Sequence, residues 1–184
     1  MRITLIRHPQ PQVATGVCYG STDLPVARQQ IDLVHAALAG ILPASAPLYS
    51  SPLRRCADLA TQLTPLPPMH DARLAEMHFG AWEMHRWDDI PRAEIDAWAA
   101  DPVHYHPGGG ESVLQMATRV AAFYAALRAN AQADARPDAI VVCHAGTIRL
   151  LMACHAGLAP ADMAQRAAST PHSIAYGQRI VLQD

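Results

Sequence analysis

The chain has 184 residues and no lysine; all 14 of its basic residues are arginine. Chemistry that needs a lysine amine, as a Schiff base or as a general base, is therefore excluded. Asp and Glu number 16, so the net charge is only −2. A basic patch able to bind nucleic acid or an anionic membrane is not expected. No apolar run approaches the roughly 20 residues that a membrane-spanning helix needs. The apolar stretch near Met1 is too short for a signal peptide. A cytoplasmic location without a membrane partner is the expectation. Cys18, Cys56, Cys143 and Cys154 are widely spaced and contain no C-x-x-C pair, which fits free thiols rather than a disulfide framework. Aromatic residues are scarce, at 5%, so it matters that Trp82, Trp87 and Trp98 fall within one short stretch.

What the chain does have is apolar content, 51% of it, enough for a single domain over 1–184 with a full core. Residues 2–6 read as a strand, and 47–52 and 72–76 as short strands. Apolar residues at helical spacing mark 25–42 and 53–63. A helix is expected over 91–100, with Pro91 in its first turn. Ser112 and Gln115 have the spacing of a capping box that opens a long helix. A β-branched strand within 139–148 runs into His144 and then into a helix ending near residue 156. A proline-started turn at 160 and one or two strands within 172–182 complete the reading. This alternation predicts an α/β fold, a three-layer αβα sandwich on a mostly parallel sheet. Such sheets bind ligands beyond the carboxyl ends of their strands.

Two strands end in groups that are costly to bury unpaired. Arg7 and His8 end the first, and His144 ends the later one. Arg55 opens a helix after "YSSPLR", and Glu76 follows the 72–76 segment. Together these five residues suggest chemistry on a phosphate group. Guanidinium binds phosphate oxygens with paired hydrogen bonds and stays charged. Neutral imidazole is a nucleophile toward phosphorus. A poor alkoxide leaving group needs an acid, and Glu76 is the available carboxyl. The N–H groups of Ala145 and Gly146, at a helix start, add donors for the same anion. Two other classes compete. A metalloenzyme would use His78, His85, His104 and His106 around Asp88, Asp89 and Asp101, although H-x-H is a weak ligand signal. A non-catalytic binding protein would keep the fold and lose the chemistry.

The ordered segments "LIRHPQP", "YSSPLRRCADLA", "LAEMHFGAWE", "PGGGES" and "VVCHAGTIR" resemble the motifs of the histidine phosphatase superfamily, whose fold is shared with phosphoglycerate mutase. They span residues 5–149. The resemblance implies a phosphomonoesterase that uses neither metal nor cofactor and acts on a small phosphate ester. His8 matches the nucleophile that becomes phosphohistidine, and Arg7 and Arg55 match the phosphate-binding arginines. His144 matches the second histidine, which holds the phosphoryl group, and Glu76 matches the proton donor. Ala145 and Gly146 match the backbone donors. Within the family, "GVCYGSTDLPV" resembles the alpha-ribazole-5'-phosphate phosphatases of cobalamin biosynthesis. That likeness implies Tyr19 and Gly20 at the pocket mouth, and Trp82, Trp87 and Tyr105 as candidates to stack on the base. A broad-specificity phosphatase and a mutase share the machinery. Residues 77–110 are expected to form a lid over the site. Pro9 stands where the family has Gly, removing an N–H, and Gln10 stands where mutases carry Glu.

Overall fold

A computed structural model describes residues 1–133, 137–171 and 173–184. The chain runs β1 (Arg2–Arg7), α1 (Arg28–Leu38), β2 (Leu48–Ser50), α2 (Arg54–Leu63), β3 (Met69–His70), α3 (Arg92–Ala100), α4 (Val113–Ala133), β4 (Asp138–Cys143), α5 (Ala145–His155), α6 (Pro160–Ser169) and β5 (Arg179–Gln183). The strands form one sheet in the order β3-β2-β4-β1-β5. β1 to β4 are parallel, and β5 runs antiparallel to β1 along one edge.

Side-chain alternation divides the core into two halves, as a sheet covered on both faces requires. Ile3, Leu5, Val141 and Cys143 face Met116, Val120 and Phe123 of α4, Ile148 of α5 and Met163 of α6. Ile6, Ile140, Val142 and Leu48 face Ile31 of α1 and Leu59 of α2. The chain is a three-layer αβα fold. Among the described residues no helix is long and apolar enough to cross a membrane.

Sheet order positions the site. β1 and β4 lie side by side in the centre, with Arg7 opposite Cys143. His8 and His144 therefore leave neighbouring strands at the same level. β2 flanks β4 on the other side, so Ser51 and the first turn of α2 arrive at the same edge.

Three expectations are corrected. Residues 72–76 are not a strand; Ala72–Leu74 form a 3-10 turn. Asp71 accepts from the Arg73 N–H at 2.9 Å and pairs with its guanidinium, and this local capping outweighs the short apolar run. The expected turn at 160 is the full helix α6, with Pro160 in its first turn, where a missing N–H costs nothing. The C-terminal region holds one strand, β5, with a tight turn before it; His172 lies outside the described residues. The capping box forms as read: Ser112 N–H donates to Gln115 Oε1 at 3.0 Å, and Gln115 N–H to Ser112 Oγ at 3.2 Å.

Candidate active site

His8 is 2% exposed. Its backbone N–H donates to Cys143 O at 3.0 Å, continuing the sheet for one residue past Arg7. Its Nδ1 lies 2.7 Å from Pro9 O. A carbonyl only accepts, so Nδ1 carries the proton and Nε2 holds a free lone pair. Pro9 thus orients the imidazole through its carbonyl, whatever its missing N–H removes. Burial, reinforced by the positive charge of Arg55 and then of Arg7, pushes the His8 pKa down to about 3 against the partial opposition of the Pro9 carbonyl. The imidazole is neutral across the physiological range.

His144 is fully buried, its ring centroid 5.0 Å from that of His8. Arg55 Nε–H donates to its Nδ1 at 3.2 Å, which leaves Nε2–H to donate to Ser51 Oγ at 2.8 Å. Burial first, then the neighbouring His8 and Arg55, hold its pKa well below the ordinary value. Both ring nitrogens have protein partners. A phosphoryl group would reach His144 only by displacing Arg55 or Ser51.

The two guanidiniums carry the electrostatics. Arg55 has no exposed surface. It donates to Thr22 O at 2.6 Å and Gly20 O at 2.5 Å, and its plane lies 5.3 Å from the Tyr19 ring. Arg7 donates to Ile174 O at 2.5 Å and stacks on Tyr176 at 3.9 Å. Its buried Nε has no acceptor among the described residues. Among those residues, neither arginine has a carboxylate within 4 Å. A fully buried cation and a half-buried one without a counter-charge are unfavourable by themselves and favour a bound anion.

Glu76 approaches from across the sheet edge. Arg119 of α4 holds its segment by donating to Arg73 O and Ala75 O at 2.8 Å each, while pairing with Glu111 at 2.6 Å. The Glu76 carboxylate accepts from Met77 N–H at 3.0 Å and from Gly146 N–H at 3.2 Å. A Cβ at 146 would lie 2.4 Å from Glu76 Oε1, so a larger residue there would push the carboxylate aside. The Gly146 N–H expected to face an anion is therefore engaged by Glu76.

A cavity of about 570 Å³ opens beside these groups. Arg7, Tyr19, Gly20, Glu76, Ala145 and Gly146 border it. His8, Arg55 and His144 do not; they lie buried behind that lining. One wall is aromatic. Trp87 and Trp98 are parallel within 11° at 6.1 Å, and Phe79 meets them edge-on at 5.6 and 6.0 Å. Trp82 and Tyr105 are not on the wall. Trp82 is buried behind it, donating Nε1–H to Glu94 at 2.5 Å and packing against Tyr105. The rings that line the cavity are those of Phe79, Trp87 and Trp98. The sequence reading named Trp82 and Tyr105 and passed over Trp98; a spacing of sixteen residues carries no sign of which ring faces a pocket.

Sequence reading also passed over two positioning groups. Glu83 accepts from Ser21 N–H and Phe79 N–H, and from the hydroxyls of Ser21 and Thr22. It thereby fixes the loop whose carbonyls hold Arg55. Burial alone would push its carboxyl up, but these hydrogen bonds outweigh burial and keep it below the ordinary value. The "FGAWE" motif contains Glu83 but gives no hint of this partner loop. Tyr176 sits in a turn that the sequence reading treated as strand. The histidines of the 77–110 stretch take separate partners: His104 pairs with Asp101 at 2.9 Å, and His106 bonds Gly110 O at 2.8 Å. Among the described residues no three metal-ligating side chains converge.

The family model for the histidine phosphatase superfamily (branch 1) matches residues 3–176, and the chain belongs to that superfamily. It is a hydrolase of the histidine phosphatase type. It is 30% identical to an adenosylcobalamin/alpha-ribazole phosphatase of Escherichia coli (strain K12) over 163 residues, 83% of this chain and 78% of the relative. An alpha-ribazole phosphatase from Shigella flexneri superposes with a TM-score of 0.79 at 26% identity, covering 98% of this chain and 89% of that one. A mycobacterial glucosyl-3-phosphoglycerate phosphatase in complex with VO3 superposes with a TM-score of 0.77 at 26% identity, covering 99% and 92%.

Proposed function

We propose that the chain removes phosphate from alpha-ribazole 5'-phosphate, a benzimidazole nucleotide of cobalamin biosynthesis, through a phosphohistidine at His8. The observation that carries the chemistry is an unprotonated Nε2 near two guanidiniums, Arg55 buried and Arg7 half-buried, that lack carboxylate partners among the described residues. In the first step, Nε2 attacks phosphorus in line with the ester oxygen. The P–N bond forms, the P–O bond to the leaving group breaks, and Glu76 gives that oxygen its proton. In the second step, Glu76 takes a proton from water, whose oxygen attacks phosphorus. The P–N bond breaks and inorganic phosphate leaves. Arg7 and Arg55 balance charge on the equatorial oxygens in both steps. His144, turning its Nε2–H from Ser51 to the phosphoryl group, donates to the same oxygens, with Ala145 at the helix start beside them.

The substrate assignment rests on the cavity wall. Phe79, Met77, Trp87, Trp98, Val113 and Met116 offer a flat apolar surface, suited to a heteroaromatic base and poorly suited to a sugar acid. Tyr19 and Gly20 form the mouth, and 77–110 acts as the cover that supplies the wall. A cytoplasmic setting agrees with the unpaired state of all four cysteines. The test compares kcat/KM for alpha-ribazole 5'-phosphate, glucosyl-3-phosphoglycerate, 3-phosphoglycerate and p-nitrophenyl phosphate. Alpha-ribazole 5'-phosphate should lead by at least about tenfold, the scale of one well-placed aromatic contact plus burial. Equal rates across the panel would leave a broad-specificity phosphatase. Preference for a glycerate ester would overturn the base-binding wall.

A further inference from the structure

The turn before β5 grips the end of β1 from three directions. Ile174 O accepts from the Arg7 guanidinium at 2.5 Å. Gln178 O accepts from the Arg7 backbone N–H at 3.0 Å, and Gly177 N–H donates to the carbonyls of Arg7 at 3.2 Å and His8 at 3.3 Å. Gly177 takes φ 70°, which lets the chain reverse there with little strain. Between these anchors stands Tyr176. Its ring lies 3.9 Å from the Arg7 guanidinium and 5.5 Å from the His8 imidazole. Its hydroxyl lies 3.1 Å from that of Tyr19, whose own ring faces the Arg55 guanidinium at 5.3 Å.

We propose that Tyr176 is a positioning residue for phosphate binding: its ring seats Arg7, and its hydroxyl, through Tyr19, joins Arg7 to Arg55 across the site. This inference rests on the reading of Arg7 and Arg55 as phosphate ligands. The chain Arg7–Tyr176–Tyr19–Arg55 fixes the separation of two cations that would otherwise repel each other. Neither has a carboxylate to hold it among the described residues, so main-chain carbonyls and these aromatic faces share that work. Tyr176 is 38% exposed and lies in a turn, so its side chain contributes little to the core.

The test measures the inhibition constant of inorganic phosphate against p-nitrophenyl phosphate hydrolysis. Tyr176→Leu removes the ring and should weaken phosphate binding about five- to tenfold, the range of one cation–π contact. KM should rise with it while kcat changes less. Tyr176→Phe keeps the ring and should stay within about threefold of wild type, because only the hydroxyl link is lost. Tyr19→Phe removes that same link, so the double variant Tyr19→Phe/Tyr176→Phe should be no weaker than the worse single variant. Thermal midpoints of all four variants should match wild type. Unchanged phosphate binding in Tyr176→Leu overturns the proposal, as does equal loss in Tyr176→Leu and Tyr176→Phe. A wild-type chain that neither binds phosphate nor cleaves the aryl ester would instead remove the phosphatase reading beneath it.

Discussion

The floor of the site and its aromatic wall are built on different principles. The floor is polar and held by main chain: His8 by Cys143 O and Pro9 O, Arg55 by Gly20 O and Thr22 O, and Glu76 by the N–H groups of Met77 and Gly146. The wall is apolar and held by ring packing, with Phe79 meeting Trp87 and Trp98 edge to face and the two indoles parallel. Hydrogen bonds to backbone specify one geometry, and changes in them are felt at once. Edge-to-face rings tolerate exchange of one apolar shape for another at modest cost. The floor is therefore suited to a reaction that does not change, and the wall to a leaving group that does.

His8→Ala breaks the floor and carries the largest expected effect. Turnover of every ester should fall by at least about a thousandfold, with no acid-labile phosphoenzyme, while the thermal midpoint stays near that of wild type. Retention of more than a few per cent of kcat would move the nucleophile elsewhere. Trp87→Ala sharpens the comparison from the other side. KM for a bulky aromatic ester should rise about five- to tenfold, while the inhibition constant of inorganic phosphate should not move. Parallel loss for both ligands would show that wall and floor are one unit. The smallest effect is on acid stability. An unfolded chain protonates His8 near pH 6.5, whereas the folded chain resists until about 3. Between these values the unfolded state binds more protons, so stability falls as pH drops through that window and is unaffected above it. His8→Asn removes one such group. Its urea midpoint should decline less steeply than that of wild type from pH 6.5 to 3, and identical slopes would place the acid sensitivity in other groups.

The floor was more legible in the sequence than the wall, for the same reason that separates them. Arg7, His8 and His144 follow immediately on apolar, β-branched strands, and in a parallel sheet the carboxyl ends of adjacent strands share one edge. Local pattern therefore predicted which residues would meet. The wall offered no such rule, so Trp82 was chosen where Trp98 lines the cavity, and Tyr176 was hidden in an apparent strand. The 72–76 segment was misread because Asp71 and Arg73 satisfy the backbone locally, an effect stronger than two apolar side chains. Helix α6 was shortened to a turn because alanine, its commonest residue, gives little periodic signal.

By itself the sequence determined the βα alternation up to α5 in outline and the two strand ends that carry imidazoles, and it pointed to Arg55 and Glu76 as their companions. These follow from short-range rules of period, capping and strand termination. Only the tertiary structure decided which nitrogen of His8 is free, that both nitrogens of His144 are engaged, that Glu76 rather than an anion meets Gly146, and which rings face the cavity. Those outcomes depend on side-chain geometry, from the Pro9 carbonyl beside His8 to contacts 70 to 93 positions apart at Gly146 and His144, and residue spacing does not record them.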